Sequence, residues 1–304
     1  MSDAVLPYPL NEAHTRQVEE WPLARKNYGA LLGVETREVF MYMGSKFIAQ
    51  HNPARALSAS AKTDAKSVAA RPCFLCGANR PPEQYALESA RGYDILVNPF
   101  PVFPQHFTIA SAVHEPQRFV PESAGEPWRR LEDMMAFARM MPGMVVFYNG
   151  PRCGASAPDH FHFQAVPAHR LPLVDNWRRW RHAPVKYLTF RVSTTEGAAA
   201  EMERVCRSLG WQPGAEEPMM NIYAYMPEEE SPFLAPDEAP VEIIVIPRRA
   251  HRPKCYGTGE GEMLLSPAAI ECAGVMIAPR REDFDRLDVY KINEILREVC
   301  YAEL

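Results

Sequence analysis

The sequence predicts an α+β fold, and three observations carry that reading. Short apolar runs of strand length recur at residues 93–98, 107–111, 144–148, 186–192, 220–225 and 241–246. Between them, residues 127–141 and 196–209 place apolar side chains at helical spacing. Proline and glycine punctuate the joins, so strands and helices stand side by side without the regular alternation of a doubly wound sheet.

In chain order, residues up to about 57 carry an amphipathic helical pattern followed by an apolar run at 39–43 that reads as a strand. Residues 58–70 (SASAKTDAKSVAA) are small and polar and read as an exposed loop. The strand-like runs 93–98 and 107–111 are separated by the rigid, non-helical segment PFPVFP at 99–104. Leu131, Met134, Met135, Phe137, Ala138 and Met141 define one helical face, which Pro142 and Gly143 end before the dense apolar strand at 144–148. The second half repeats this rhythm more loosely and closes with a helix over 281–300. An apolar run followed by a histidine occurs at 107–110 with His114 and again at 242–247 with His251. That parallel points to a duplicated unit whose second copy lacks the histidine motif described next.

With 304 residues and 47% hydrophobic content, the chain can bury one large core or two modest ones. The net charge is −5, and 33 basic residues are spread among 38 acidic ones without a long basic block, which argues against DNA or RNA as a partner. The first residues mix charges and lack a signal-peptide core, and no apolar run is long enough to span a bilayer. Seven cysteines at irregular spacing fit thiols or a metal site in a reducing compartment better than a disulfide framework. The expectation is a soluble, cytoplasmic protein without membrane contact.

The chemistry concentrates in two places. In the segment HFHFQ at 160–164, strand alternation puts His160, His162 and Gln164 on one face and Phe161 and Phe163 on the other. Just upstream, NGPRCGASAP at 149–158 is rich in residues that turn tightly and bring N–H groups and a hydroxyl to an anion. A neutral imidazole held through one nitrogen can attack phosphorus with the other, so His162 is the candidate nucleophile and Gln164 the candidate stabiliser of transferred charge. The same pattern is compatible with a metal-binding strand or with two satisfied strand histidines. Elsewhere, Cys73 and Cys76 form a C-x-x-C pair, which alone suits a metal knuckle, a redox pair or two turn cysteines; with no second pair to complete a zinc ribbon, His114 and His160 are the natural candidates for the further ligands if the pair holds a tetrahedral zinc.

Other groups are open to two readings. His106 and His114 sit at the two ends of the 107–111 strand, where a histidine is often a surface group. The run RRAHRPK at 248–254, including Arg248 and Arg249, suits either a solvated loop or substrate phosphate, because guanidinium groups match phosphate oxygens. The segment WRRWR at 177–181 reads as amphipathic surface, and Cys206, Cys272 and Cys300 read as core thiols.

Taken together, CFLCGANR (73–80), VNPFPVFPQHFTIAS (97–111), YNGPRCGASAPDHFHFQAVP (148–167) and SPAAIECAGVMIAP (266–279) resemble the galactose-1-phosphate uridylyltransferase branch of the histidine-triad superfamily. That branch includes the diadenosine tetraphosphate phosphorylases and GDP-hexose phosphorylases. The resemblance implies an antiparallel histidine-triad-like sheet flanked by helices and duplicated, with a catalytic half at 71–170 and a degenerate half at 185–304. It implies a nucleotidyl-His162 intermediate, Gln164 and Ser156 at the phosphates, Asn149 in support, Asn98 and Phe100 by the base, and structural Zn²⁺ on Cys73, Cys76, His114 and His160. The donor would be a nucleotide-sugar or a dinucleoside polyphosphate, and the acceptor phosphate or a sugar phosphate; a nucleotide hydrolase and a zinc-stabilised binding protein are the alternatives. A homodimer stays open. Phe161 stands where the uridylyltransferases have proline, and Asp159 precedes the pair.

Overall fold

A computed structural model of the chain describes residues 8–41, 44–60, 64–180, 184–227 and 239–302. Helices α1 (Tyr8–Glu20) and α2 (Pro22–Gly29) open it, with Pro22 in the first turn of α2, where a missing N–H costs nothing. Strands β1 (Glu35–Phe40) and β2 (Lys46–His51) pair antiparallel. The polar stretch at 58–70 is not the plain loop its composition suggests: α3 (Ala56–Ala59) and α4 (Ala65–Ala69) flank residues 61–63, which lie outside the described residues. Alanine content favours helix once a cap is present, and the Asp64 side chain accepts the Ser67 N–H to supply one. The end of the apolar run at 39–43 also lies outside the described residues.

Then come β3 (Glu88–Ala90), β4 (Tyr93–Val97), β5 (Phe107–Ser111), α5 (Arg129–Met140), β6 (Met144–Asn149), β7 (His162–Pro167) and α6 (Pro172–Asp175). The second half supplies β8 (Leu188–Val192), α7 (Thr195–Ser208), β9 (Met220–Tyr225), β10 (Val241–Pro247), α8 (Ala269–Cys272), β11 (Val275–Ala278), α9 (Arg281–Asp285) and α10 (Val289–Val299). The closing helix expected over 281–300 is thus two helices, because Asp288 accepts the Lys291 N–H and starts α10 afresh. Of the segment at 177–181, residue 181 lies outside the described residues, and Trp180 is not surface: it is buried and its ring lies 4.8 Å from that of Phe47.

The protein is α+β, an antiparallel sheet flanked by helices. The main sheet has eight strands in the order β3-β4-β5-β7-β6-β9-β10-β8, with antiparallel neighbours throughout. A smaller sheet, β1-β2-β11, joins β2 and β11 in parallel from opposite ends of the chain. Alternation along β6 explains why the main sheet is buried on both faces. Val146 and Tyr148 enter a core shared with Phe137, Phe161, Phe163 and Met202, under α5 and α7. Val145 and Phe147 enter a second core with Phe47, Met276, Ile292 and Leu296, under the small sheet and α10. Among the described residues, no helix is long and apolar enough to cross a membrane.

The order β5-α5-β6-β7 recurs as β8-α7-β9-β10, and the two runs meet where β6 pairs with β9. In this arrangement β10 takes the place of β7, not of β5. The pairing of 107–110 with 242–247 suggested by apolar density is therefore wrong, since density alone cannot separate two equally buried strands.

Gly274 precedes β11 at φ +111°, and a Cβ there would lie 2.9 Å from the Trp180 ring. Gly274→Ala should cost about 1–3 kcal/mol through this clash and the left-handed backbone. Urea unfolding would measure it, and an unchanged midpoint would mean that Trp180 moves aside freely.

Candidate active site

A cavity of about 580 Å³ opens on the face of the main sheet occupied by His162 and Gln164. Asn98, Phe100, Asn149, Ser156, His162 and Gln164, six positions singled out in the sequence, all line it. β7 begins at His162, so His160 precedes the ladder rather than belonging to it. The expected facing nevertheless holds: Phe161 and Phe163 pack into the core while the two histidines turn away from it.

His162 is 2% exposed, and its Nδ1–H donates to the backbone carbonyl of His160 at 2.9 Å. A carbonyl can only accept, so the proton is fixed on Nδ1 and the Nε2 lone pair is left free. Burial is the main cause holding the imidazole down at about 4, well under its ordinary value of 6.5. The ring is therefore neutral at physiological pH. Gln117, in the loop after β5, holds this backbone: its Oε1 accepts the His162 N–H at 2.8 Å, and its Nε2 donates to the carbonyls of Asn149 (2.9 Å) and His162 (3.0 Å).

Gln164 is oriented from behind. His106 accepts the Val102 N–H at Nδ1 (3.2 Å), so Nε2 carries the hydrogen and donates to Gln164 Oε1 at 2.8 Å. The Gln164 NH₂ is thereby turned away from His106 as the free donor. His106 is 1% exposed, so its reading as a surface histidine fails, and burial pushes it down to about 3. Asn98 is braced locally, accepting the Phe100 N–H at 2.9 Å and donating to Thr108 Oγ1 at 3.2 Å.

The loop at 149–158 closes the cavity beside His162. Asn149 Oδ1 accepts from Asn221 Nδ2 and from the Ala269 N–H, both at 2.9 Å. Of the cations, Arg252 comes from the basic run singled out in the sequence, whereas Arg55 and Arg71 come from segments that the motif reading did not single out. Arg55 donates to the Phe100 carbonyl (2.5 Å), Arg71 donates to Asp159 (3.2 Å) and stacks on Phe74 at 4.6 Å, and Arg252 donates to Ser266 Oγ (3.2 Å). All three line the cavity, together with His251, which burial first and then Arg252 and Arg248 push down to about 4. Arg248 and Arg249 do not line it. Arg248 is buried with its donors on Asn221 and backbone carbonyls, and Arg249 lies outward, 5.9 Å from the Tyr301 ring.

Cys73, Cys76, His114 and His160 converge, their donor atoms all within 4.8 Å of one another. Cys73 Sγ lies 3.2 Å and Cys76 Sγ 3.5 Å from His160 Nδ1, and Cys76 Sγ lies 3.3 Å from His114 Nδ1. A tetrahedral zinc with bonds of about 2.3 Å to sulfur and 2.0–2.1 Å to nitrogen needs sulfur–nitrogen separations near 3.5 Å, so the donor set fits. The Nε2–H of His160 donates to the Ser111 carbonyl at 2.8 Å, which leaves Nδ1 as the ligating atom.

Residues 13–167 match the family described as Domain of unknown function (DUF4922), and the chain belongs to that family. No curated protein matches it. Among solved structures it is similar to yeast Ap4A phosphorylase Apa2, with a TM-score of 0.60, 17% identity and 98% of each chain covered. The same enzyme in complex with AMP gives a TM-score of 0.60 at 18% identity over 98% of this chain and 99% of that one. Its complex with Ap4A gives 0.57 at 15% identity over 95% and 97%. At this identity the likeness is one of fold, and it spans both halves of the chain.

The buried, neutral His106 has a consequence for stability against pH. Unfolded, a histidine takes a proton near 6.5, whereas the folded His106 resists until about 3. Its contribution to stability is therefore present above 6.5 and is lost progressively as pH falls from there toward 3, because only the unfolded chain gains the proton. His106→Gln should lose less stability than the native protein between pH 7 and 5, as measured by urea unfolding at each pH. Equal losses in the two proteins would show that His106 is not buried neutral.

Proposed function

We propose that this protein is a nucleotidyltransferase or phosphorylase that carries a nucleoside phosphoryl group on His162. The observation that carries this reading is the Nδ1–H bond from His162 to the His160 carbonyl, which leaves a neutral Nε2 lone pair at the cavity. In the first displacement Nε2 attacks the phosphorus, an N–P bond forms, the P–O bond to the leaving phosphate breaks, and that oxygen takes the electron pair. In the second, an acceptor oxygen attacks the same phosphorus and the N–P electrons return to the imidazole. The Nδ1 proton stays against the His160 carbonyl throughout. Ping-pong kinetics follow.

Gln164, oriented by His106, and Ser156 would donate to the phosphoryl oxygens, with Asn149 holding the loop and Asn98 and Phe100 at the nucleoside end. Arg252 would keep the role expected of the 248–254 run, and Arg55 and Arg71 would take the place of Arg248 and Arg249, since these three guanidinium groups line the cavity. The donor would be a dinucleoside polyphosphate or a nucleotide-sugar, and the acceptor phosphate or a sugar phosphate. Similarity to a phosphorylase with structures in complex with Ap4A and AMP supports the first of these donors. Residues 71–170 form the catalytic half in this reading and 185–304 its degenerate copy, which the recurring strand order supports.

Zinc on Cys73, Cys76, His114 and His160 would act structurally, neutralising two thiolates and fixing His160. Because the carbonyl of His160 orients the His162 ring, fixing that residue also fixes the nucleophile's aim.

Incubation with radiolabelled dinucleoside polyphosphates and nucleotide-sugars should label the native protein and leave His162→Ala unlabelled, with turnover reduced by roughly 10³-fold or more. Phosphate should then discharge the isolated labelled enzyme to a nucleoside diphosphate faster than water does. Discharge by a hexose phosphate alone would make it a sugar-phosphate transferase, discharge by water alone a hydrolase, and no labelling a binding protein.

Protein purified without chelator should contain close to one zinc per chain on metal analysis. Cys73→Ser should lose the metal, melt at lower temperature and label more slowly. A metal-free protein of full stability would remove the zinc assignment.

A further inference from the structure

Arg248 is 2% exposed, and the partners its guanidinium finds among the described residues are neutral. Nη1 donates to Asn221 Oδ1 at 2.7 Å, Nε to the Val299 carbonyl at 3.0 Å, and Nη2 to the carbonyls of Pro267 (2.9 Å) and Ala250 (3.2 Å). Burying a guanidinium among carbonyls is a poor way to fill a core compared with an apolar side chain. Asn221 is the side chain it contacts, and that contact reaches the candidate site.

Asn221 lies in β9, wholly buried and in register with Asn149 of β6. Its Nδ2 donates to Asn149 Oδ1 and to the Cys153 carbonyl, both at 2.9 Å, and so holds the loop that carries Ser156 at two points. An amide can turn either way in a symmetric pocket, but a guanidinium can only donate. With Arg248 on Oδ1, the Asn221 NH₂ has to face the loop. The loop is also pressed against the second half: Gly154 stands at φ +103°, and a Cβ there would fall 2.2 Å from the Ala268 Cβ.

We propose that Arg248 is a positioning residue that locks the orientation of Asn221, and through it the phosphate-binding loop at 149–156. The second half thereby templates a loop whose reacting residues all belong to the first half. Arg248 touches no substrate in this arrangement. Its kinetic signature rests on the nucleotidyl-transfer reading, whereas its effect on the loop does not.

Asn221→Asp separates positioning from folding. The variant keeps the shape of the side chain and gives Arg248 an acid partner, but it replaces two donated hydrogens with a carboxylate facing Asn149 Oδ1 and the Cys153 carbonyl. It should melt cooperatively near the native temperature, while amide hydrogen exchange across 149–156 accelerates. Labelling of His162 should slow by about tenfold or more, with KM changed by less than about threefold. Arg248→Met should loosen the same loop and Arg248→Lys should fall between it and the native protein; if Arg248→Met does not fold, Asn221→Asp still decides. Native exchange across 149–156 in a folded Asn221→Asp protein would overturn the proposal. If the native enzyme takes no label from any nucleotide, the transfer reading fails, and the exchange measurement still tests the positioning role.

Discussion

The site depends on how the Gln117 side chain replaces a missing piece of β-ladder. β6 and β7 pair from Met144 with Pro167 to Phe147 with Gln164, and beyond that the strands part to make room for the loop between them. Where Asn149 and His162 would otherwise leave backbone groups unmet, one amide supplies an acceptor and two donations. A strand that splays at a site usually loses definition there. Here the Gln117 amide meets both backbone groups of His162 and the carbonyl of Asn149, and so fixes the first residue of β7 at the splayed end. The carbonyl that orients the ring belongs to His160, two positions before it, and that residue is tied down by its own contacts to Cys73, Cys76 and Ser111.

Two supports therefore converge on a few atoms, one from the C-x-x-C segment and one from the second half. The first is local, linking Cys73 to His160 across the open edge of the loop. The second runs from β10 through β9 into β6 and is possible because the sheet is continuous between the halves. The cavity sits between these supports, on the face of β7 opposite the aromatic layer of Phe161 and Phe163.

Much of this was legible in the sequence, and what was not has identifiable physical causes. Strand alternation at 160–164 separates the histidines from the phenylalanines because the period of a strand is two, and the pairing of Cys73 and Cys76 with two distant histidines follows from ligand chemistry. The small sheet was invisible because β2 and β11 meet from opposite ends of the chain and the latter is four residues long. Gln117 lies in a loop and carries no periodic signal; only its backbone partners reveal it. The basic run at 248–254 was correctly seen as notable, but a count of arginines cannot tell inward from outward. The bridge between Arg248 and Cys300 turns the first guanidinium into the core and leaves Arg252, four positions on, to reach the cavity. The sequence left His106 open because a strand end is usually wet, whereas this one is covered by the 99–104 segment and α2, whose Tyr28 hydroxyl donates to its carbonyl at 3.1 Å.

The junction of β6 with β9 also bears on how the chain comes into being. β6 is buried along its whole length, and one of its two edges is met only by β9. During synthesis β6 and β7 emerge before β9, and that edge stays bare until residues made roughly 70 positions later arrive to cover it. An uncovered, flat, apolar edge is an invitation to pair with a neighbouring chain. The nascent first half is thus the vulnerable stage in the life of this molecule, and a ribosome that stalls between β7 and β9 would leave it sticky and open to capture by chaperones.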